Sequence, residues 1–135
     1  MIDAKELRIG NTVNYRLPYG EMIPVTIGGI QPFSLIQYVG IESYYRDIND
    51  YFPIELSDEW LIKFGFEQTN DVNKSLSKEA SNHVMLLSSI GKKYVVELRN
   101  VMMSGSIMLQ FTVTCVHQLQ NLHFALSGKE LTIQP

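Results

Sequence analysis

Apolar and polar positions alternate in short bursts over the first third of the chain, and the pattern changes to helical spacing only twice. After Gly10-Asn11, the run Thr12-Val13-Asn14-Tyr15-Arg16-Leu17 reads as a strand, because β-branched and aromatic side chains suit a pleated, half-buried surface. Pro18-Tyr19-Gly20 is a turn, since proline fixes φ and glycine frees it. Residues 22–27 make a second strand, with Pro24 marking an edge because proline cannot donate to a ladder. Gly28-Gly29 punctuates the chain, and residues 35–38 and 41–45 read as two strands meeting near Gly40. Ahead of them, Asp3-Ala4-Lys5-Glu6 has the form of a capping box around one helical turn. Short strands parted by turns predict a small, strongly bent sheet, an SH3-like half-open β-barrel.

The first helical pattern begins at Ser57-Asp58-Glu59-Trp60. Ser57 can accept from an orphan N–H, and the two acids sit at the positive end of the dipole. Trp60, Leu61 and Phe64 share a side, and Gly65 supplies a left-handed stop. Residues 67–82 are rich in Asn, Ser and Lys with Val72, Leu76 and Ala80 as the apolar marks, which predicts a long loop or a poorly anchored helical turn. Residues 83–90 and 93–99 flank Gly91-Lys92, a two-residue hairpin of the II′ kind. Residues 102–106 connect to a third strand over 107–113, completing a meander. A helix of about 12 residues then starts at Val116 and closes at Gly128. Val116, Leu119, Leu122 and Leu126 form its apolar stripe, with His123 inside it; His117, Gln120 and Phe124 lie on another side. Such a helix packs on two sides, one of them a candidate interface.

A chain of 135 residues makes one domain with room for a core. The expected fold is α+β, with a β-rich sub-region over 1–56 and a helix–meander–helix sub-region over 57–135. Its mean hydropathy of -0.01 is ordinary for a globular protein. No apolar run approaches the ~20 residues of a membrane span. Met1-Ile2-Asp3-Ala4-Lys5-Glu6 lacks a basic stretch followed by an apolar core, so no secretory signal is expected. Cys115, without a second cysteine to pair with, fits a reducing compartment, so we expect a cytoplasmic protein. The net charge of -3 argues against a coat for phosphate backbones. The imbalance is local: residues 1–66 hold nine acids and five bases.

The candidate catalytic types fail on spacing. His117 and His123 on one helix differ by about 240° of rotation and cannot chelate one ion as an i,i+4 pair does. Cys115 and His123 are about 12 Å apart along a helix axis, and His83 would have to join from the meander. Cys115 and His117, if both helical, point about 200° apart, which excludes a nucleophile–base pair. No Gly-x-Ser-x-Gly elbow or phosphate-cradling glycine motif occurs, and Asp47-x-Asn49 lacks the glycine and the final glutamate of a calcium loop. We therefore expect no catalytic residue, metal or cofactor. Cys115 is expected as a small buried hydrophobe and His123 as a hydrogen-bonded core or interface residue.

Tyrosine offers the better case. Tyr15, Tyr19, Tyr38, Tyr44, Tyr45 and Tyr51 crowd the first half. On a small barrel they can bind an extended peptide or stack nucleobases, though tyrosine also suits half-buried strands for its own sake. Arg8, Arg16 and Arg46 offer phosphate contacts that the surrounding acids oppose.

Three strings carry a resemblance: Glu6-Leu7-Arg8-Ile9-Gly10-Asn11-Thr12-Val13; Pro53-Ile54-Glu55-Leu56-Ser57-Asp58-Glu59-Trp60-Leu61-Ile62-Lys63-Phe64-Gly65-Phe66; and Val116-His117-Gln118-Leu119-Gln120-Asn121-Leu122-His123-Phe124-Ala125-Leu126-Ser127-Gly128-Lys129-Glu130-Leu131. Together they resemble a family of small proteins from gut Bacteroides-type bacteria, often associated with prophages and other mobile elements and without an assigned activity. The resemblance implies a cytoplasmic accessory of a mobile element and supplies no catalytic residues. The expected function is that of a non-enzymatic binding or adaptor protein with a protein partner, or self-association through the last helix. The candidate surface is His117, Gln120, Phe124, Tyr15, Tyr19, Tyr44 and Tyr45. The alternative is a nucleic-acid-binding accessory using the barrel tyrosines.

Overall fold

The computed structural model describes residues 2–31, 34–39, 42–69, 75–80, 83–100 and 111–135, excepting the side chains of 37–39, 42–45, 80 and 100. The architecture is mixed α+β, with two five-stranded antiparallel sheets and one main helix. The chain divides into two compact units, one of residues 1–55 with 115–121 and the other of residues 56–114 with 122–135.

The first unit opens with a 3-10 turn, Ala4–Glu6. Asp3 caps it by accepting the Lys5 N–H, and Glu6 N–H bonds the Asp3 carbonyl. Strands β1 (Thr12–Arg16), β2 (Met22–Gln31), β3 (Ser34–Val39), β4 (Glu42–Asp47) and β5 (Tyr51–Phe52) follow, in the sheet order β4-β3-β2-β1-β5. The expected half-open barrel is instead an open antiparallel sheet; among the described residues β4 and β5 are its edges and no barrel closes.

Two details of β2 differ from expectation. Gly28-Gly29 does not end the strand; it sits where the register with β3 shifts, between Ile27 and Gly29. A Cβ on Gly29 would lie 2.8 Å from Cδ1 of Ile36, so glycine here allows close approach of the two strands. Pro24 lies in a central strand rather than an edge strand. The β3 pairing begins only at Ile27, however, so at Pro24 the strand has β1 on one side and the missing N–H breaks no ladder. Ile2, Leu7, Val13, Tyr15, Ile27, Leu35 and Tyr51 form this unit's core, flanked by Leu17, Ile23, Val25 and Ile48.

The second unit contains α1 (Asp58–Lys63), β6 (Glu67–Gln68), β7 (Leu76–Ala80), β8 (His83–Ile90), β9 (Lys93–Asn100) and β10 (Phe111–Val113). Ser57 caps α1 by accepting the Trp60 N–H, and Gly65 takes φ +89° at its end, as expected. Asp58 does more than favour the dipole: the Tyr94 hydroxyl donates to its Oδ1 at 2.6 Å. Burial and that hydrogen bond hold the Tyr94 phenol far above its ordinary range.

The sheet order is β10-β9-β8-β7-β6, an antiparallel meander of five strands rather than three. The expected loop over 67–82 was wrong where the chain is described, because it supplies β6 and β7; residues 70–74 and 81–82 lie outside the described residues. The polar composition misled because β7 sends Leu76 into the core while Ser77 and Glu79 fall on the opposite face. Ser75 also bonds Ser88 through their hydroxyls at 2.9 Å. Ile90 faces Lys93 across Gly91-Lys92, with Gly91 at φ +63°, as a two-residue hairpin requires. Of the expected third strand, 111–113 is β10, and residues 101–110 lie outside the described residues. Leu76, Met85, Leu87, Tyr94, Val96, Leu98 and Val113 share the buried face of this sheet, and Leu61, Phe64 and Phe66 are also buried.

Helix α2 (Val116–Ser127) has the expected 12 residues; 116–121 group with the first unit and 122–127 with the second. Among the described residues no helix is long and apolar enough to cross a membrane.

Candidate functional site

The first half of α2 is a polar knot. Gln120, 2% exposed, uses both ends of its amide on one residue: Oε1 accepts the Thr12 N–H at 2.7 Å and Nε2 donates to Thr12 Oγ1 at 3.2 Å. A helix side chain thus satisfies a backbone donor of β1 that has no strand beside it. Asn121 accepts from Asn11 Nδ2 at 2.9 Å and donates to the Glu6 carbonyl at 2.8 Å. Arg8 Nη2 reaches the Gln120 carbonyl, while Arg8 N–H bonds Asn11 Oδ1. Val116 N–H bonds the Ile54 carbonyl, and Glu55 bridges Cys115. Residues of all three strings singled out in the sequence meet here, held by backbone and amide bonds.

His117 belongs to this knot. Its Nε2 lies 3.4 Å from Glu6 Oε2 and 3.8 Å from Cys115 Sγ. The expectation that Cys115 and His117 point apart assumed both were helical. Cys115 instead sits in an extended bridge just before the helix, which brings its thiol to the imidazole. The pair still does not make a nucleophile and its base. Nδ1 of His117 is buried without a partner, and a buried lone pair is less costly than a buried orphan N–H, so the proton belongs on Nε2, donated toward Glu6. Burial holds the His117 pKa below its ordinary 6.5 against the opposing pull of Glu6. A neutral imidazole whose Nε2, the nitrogen near the thiol, already carries the proton cannot take the thiol's proton there. Cys115, the chain's one cysteine, is 7% exposed.

The second half of α2 closes in a similar way. His123, 5% exposed, donates from Nδ1 to the Lys129 carbonyl at 3.0 Å. Ser127 donates to the His123 carbonyl and accepts the Lys129 N–H, and Gly128 at φ +70° bonds back to the Phe124 carbonyl. Burial lowers the His123 pKa, and the charge of Lys78 adds to the effect.

His117 and Gln120 were expected on an interaction surface and are instead in the interior, because the N-terminal segment covers that side of the helix. Phe124 is 38% exposed. Tyr15 is also buried, packed on Tyr51 with ring centroids 5.3 Å apart; burial, with Tyr15 alongside, pushes the Tyr51 phenol up to about 12. Tyr44 and Tyr45 lie on β4, and their side chains, with that of Tyr38, fall outside the described residues. Tyr19 is 99% exposed.

Tyr19 stands at the tip of the β1–β2 hairpin, whose turn is fixed by Leu17 N–H to the Glu21 carbonyl and Gly20 N–H to the Leu17 carbonyl, both 2.8 Å. Gly20 takes φ +91° there. Beside the tip is a cleft of about 310 Å³ lined by Tyr15, Arg16, Leu17, Pro18, Gly20 and Asp50. Arg16 Nη2 meets Asp50 Oδ1 at 3.3 Å, and its guanidinium lies over the Phe52 ring, 5.1 Å from the centroid. Arg46 lies over Tyr15 at 5.7 Å. The sequence named Tyr15 and Tyr19 but missed Asp50, since nothing in its spacing ties residue 50 to residue 16.

The second unit has a cleft of about 410 Å³ lined by Gly65, Glu67, Ser77, Lys78, Glu79 and Val84, with no aromatic side chain among the described residues that line it. His83 lies half-buried on β8. Among the described residues no group of three or more His, Cys, Asp or Glu is placed to hold a metal ion. The chain matches no family model, and neither the curated proteins nor the solved structures compared with it include a match.

Proposed function

We propose that this chain is a non-enzymatic binding module that recognises a protein partner through the β1–β2 hairpin. One observation carries the reading: a tyrosine 99% exposed at a hydrogen-bonded hairpin tip, beside a cleft with aromatic, aliphatic and charged walls. An aromatic ring held in water gains most from being covered, which is why tyrosine dominates the energetic centres of interfaces. The polar groups with catalytic potential, Cys115, His117 and His123, are instead engaged inside the fold. The resemblance of the three strings adds a setting, a cytoplasmic accessory of a prophage or other mobile element.

The test places a photo-crosslinking amino acid at position 19 in living cells, with the exposed Lys92 as a control position. A discrete protein adduct from position 19 that is absent from position 92 is the expected result. Adducts equal at both positions, or adducts to nucleic acid alone, refute the reading.

A further inference from the structure

We propose that the hairpin cleft takes an arginine side chain from an extended segment of the partner. This rests on the hairpin being the interaction surface and adds the chemistry of what it holds.

The cleft already holds one guanidinium. Arg16 is bonded to Asp50 and laid over Phe52, showing that carboxylate and ring are spaced for that group. The hold is loose. At 3.3 Å it is longer than a strong charge-assisted bond, it uses one nitrogen and one oxygen, and the side chains are 46% and 39% exposed. Oδ2 of Asp50 has no partner among the described residues. An incoming guanidinium can use both carboxylate oxygens in a fork, a geometry a lysine ammonium does not match, and Tyr19, between the lining residues Pro18 and Gly20, offers an exposed ring at the rim of the cleft. Leu17 and Pro18 offer apolar wall for the aliphatic stem. The first unit as a whole is acidic, with seven acids and four bases, though at the cleft itself Asp50 is accompanied by Arg16 and by Arg46 over Tyr15.

The experiment records two-dimensional ¹H–¹⁵N spectra of the full chain at low salt while adding the blocked peptide acetyl-Gly-Arg-Gly-Arg-Gly-amide. Lysine and glutamate analogues are added in parallel. The amides of Tyr19, Gly20 and Asp50 are expected to shift in a saturable way with the arginine peptide, less with lysine and not with glutamate. Asp50→Asn and Tyr19→Ala weaken the response, and each keeps a dispersed spectrum. Arg16→Gln tightens it several-fold, because the internal competitor for Asp50 is gone. The proposal is overturned if the glutamate peptide shifts these amides, if Arg16→Gln weakens the response, or if millimolar arginine peptide leaves the hairpin unmoved. Should that last result accompany a specific protein adduct at position 19, the interaction reading stands and the arginine inference alone falls.

Discussion

Gln120 shows how much one amide can hold. It satisfies both the N–H and the hydroxyl of Thr12 where neither meets water. Truncation strands a buried backbone donor, so Gln120→Ala is expected to cost about 2–3 kcal/mol. Urea denaturation followed by circular dichroism measures it; a loss under about 0.5 kcal/mol, the scale of a surface change, removes the knot as a stabilising feature. The two helix histidines make a second residue-level prediction. Burial lowers both pKa values below the ordinary 6.5, so above 6.5 both are neutral whether folded or unfolded and stability is level. As pH falls below 6.5 the unfolded chain takes up protons first, and each histidine removes up to about 1.4 kcal/mol per pH unit until its own lowered pKa is reached. Unfolding midpoints between pH 7.5 and 5.5 should therefore fall, and His123→Gln should flatten the slope. A slope unchanged by that substitution shows that His123 binds its proton equally in both states.

At the scale of elements, the close approach of β2 and β3 at the register shift rests on Gly29. A methyl group there would meet Cδ1 of Ile36 at 2.8 Å and its Cβ at 3.1 Å. Gly29→Ala is expected to destabilise by about 1 kcal/mol, and Ile36→Val, which removes Cδ1, should recover part of that in the double variant. Strict additivity of the two changes would place the clash elsewhere. The same strand shows what the sequence could reveal. Its β-propensity and the Pro18-Tyr19-Gly20 turn before it were legible, as were Ser57 as a cap, Gly65 and Gly128 as stops, and the 12 residues of α2, because each signal is local; Gly28-Gly29 misled as its end. Strands β6 and β7 were not legible, because their polar residues are strand residues only once β8 is beside β7 and β7 beside β6. His117 and Gln120 misled for the same reason. A polar helix face reads as a surface until the segment that buries it, here Glu6 to Thr12, is known to lie against it.

At the scale of the whole molecule, the alternative to a protein partner is nucleic acid, and charge argues against that alternative. The formal charge is -3, and the three arginines of the first half already have partners, Arg8 the Gln120 carbonyl, Arg16 Asp50 and the Phe52 ring, and Arg46 the Tyr15 ring. Tyr19 can stack on a base, but nucleic-acid affinity comes chiefly from neutralising phosphates, and stacking alone does not supply it. Labelled single- and double-stranded DNA and RNA should therefore show no rise in fluorescence anisotropy with the chain at low salt, where a phosphate binder is tightest. Tyr19→Ala should change unfolding stability by less than about 0.5 kcal/mol, since its ring touches little in the free chain. Loss of partner capture by that variant then reports on recognition alone. Micromolar nucleic-acid binding that weakens with salt and with Tyr19→Ala would reassign the hairpin to a nucleobase platform, and the acids around it would need a compensating basic surface.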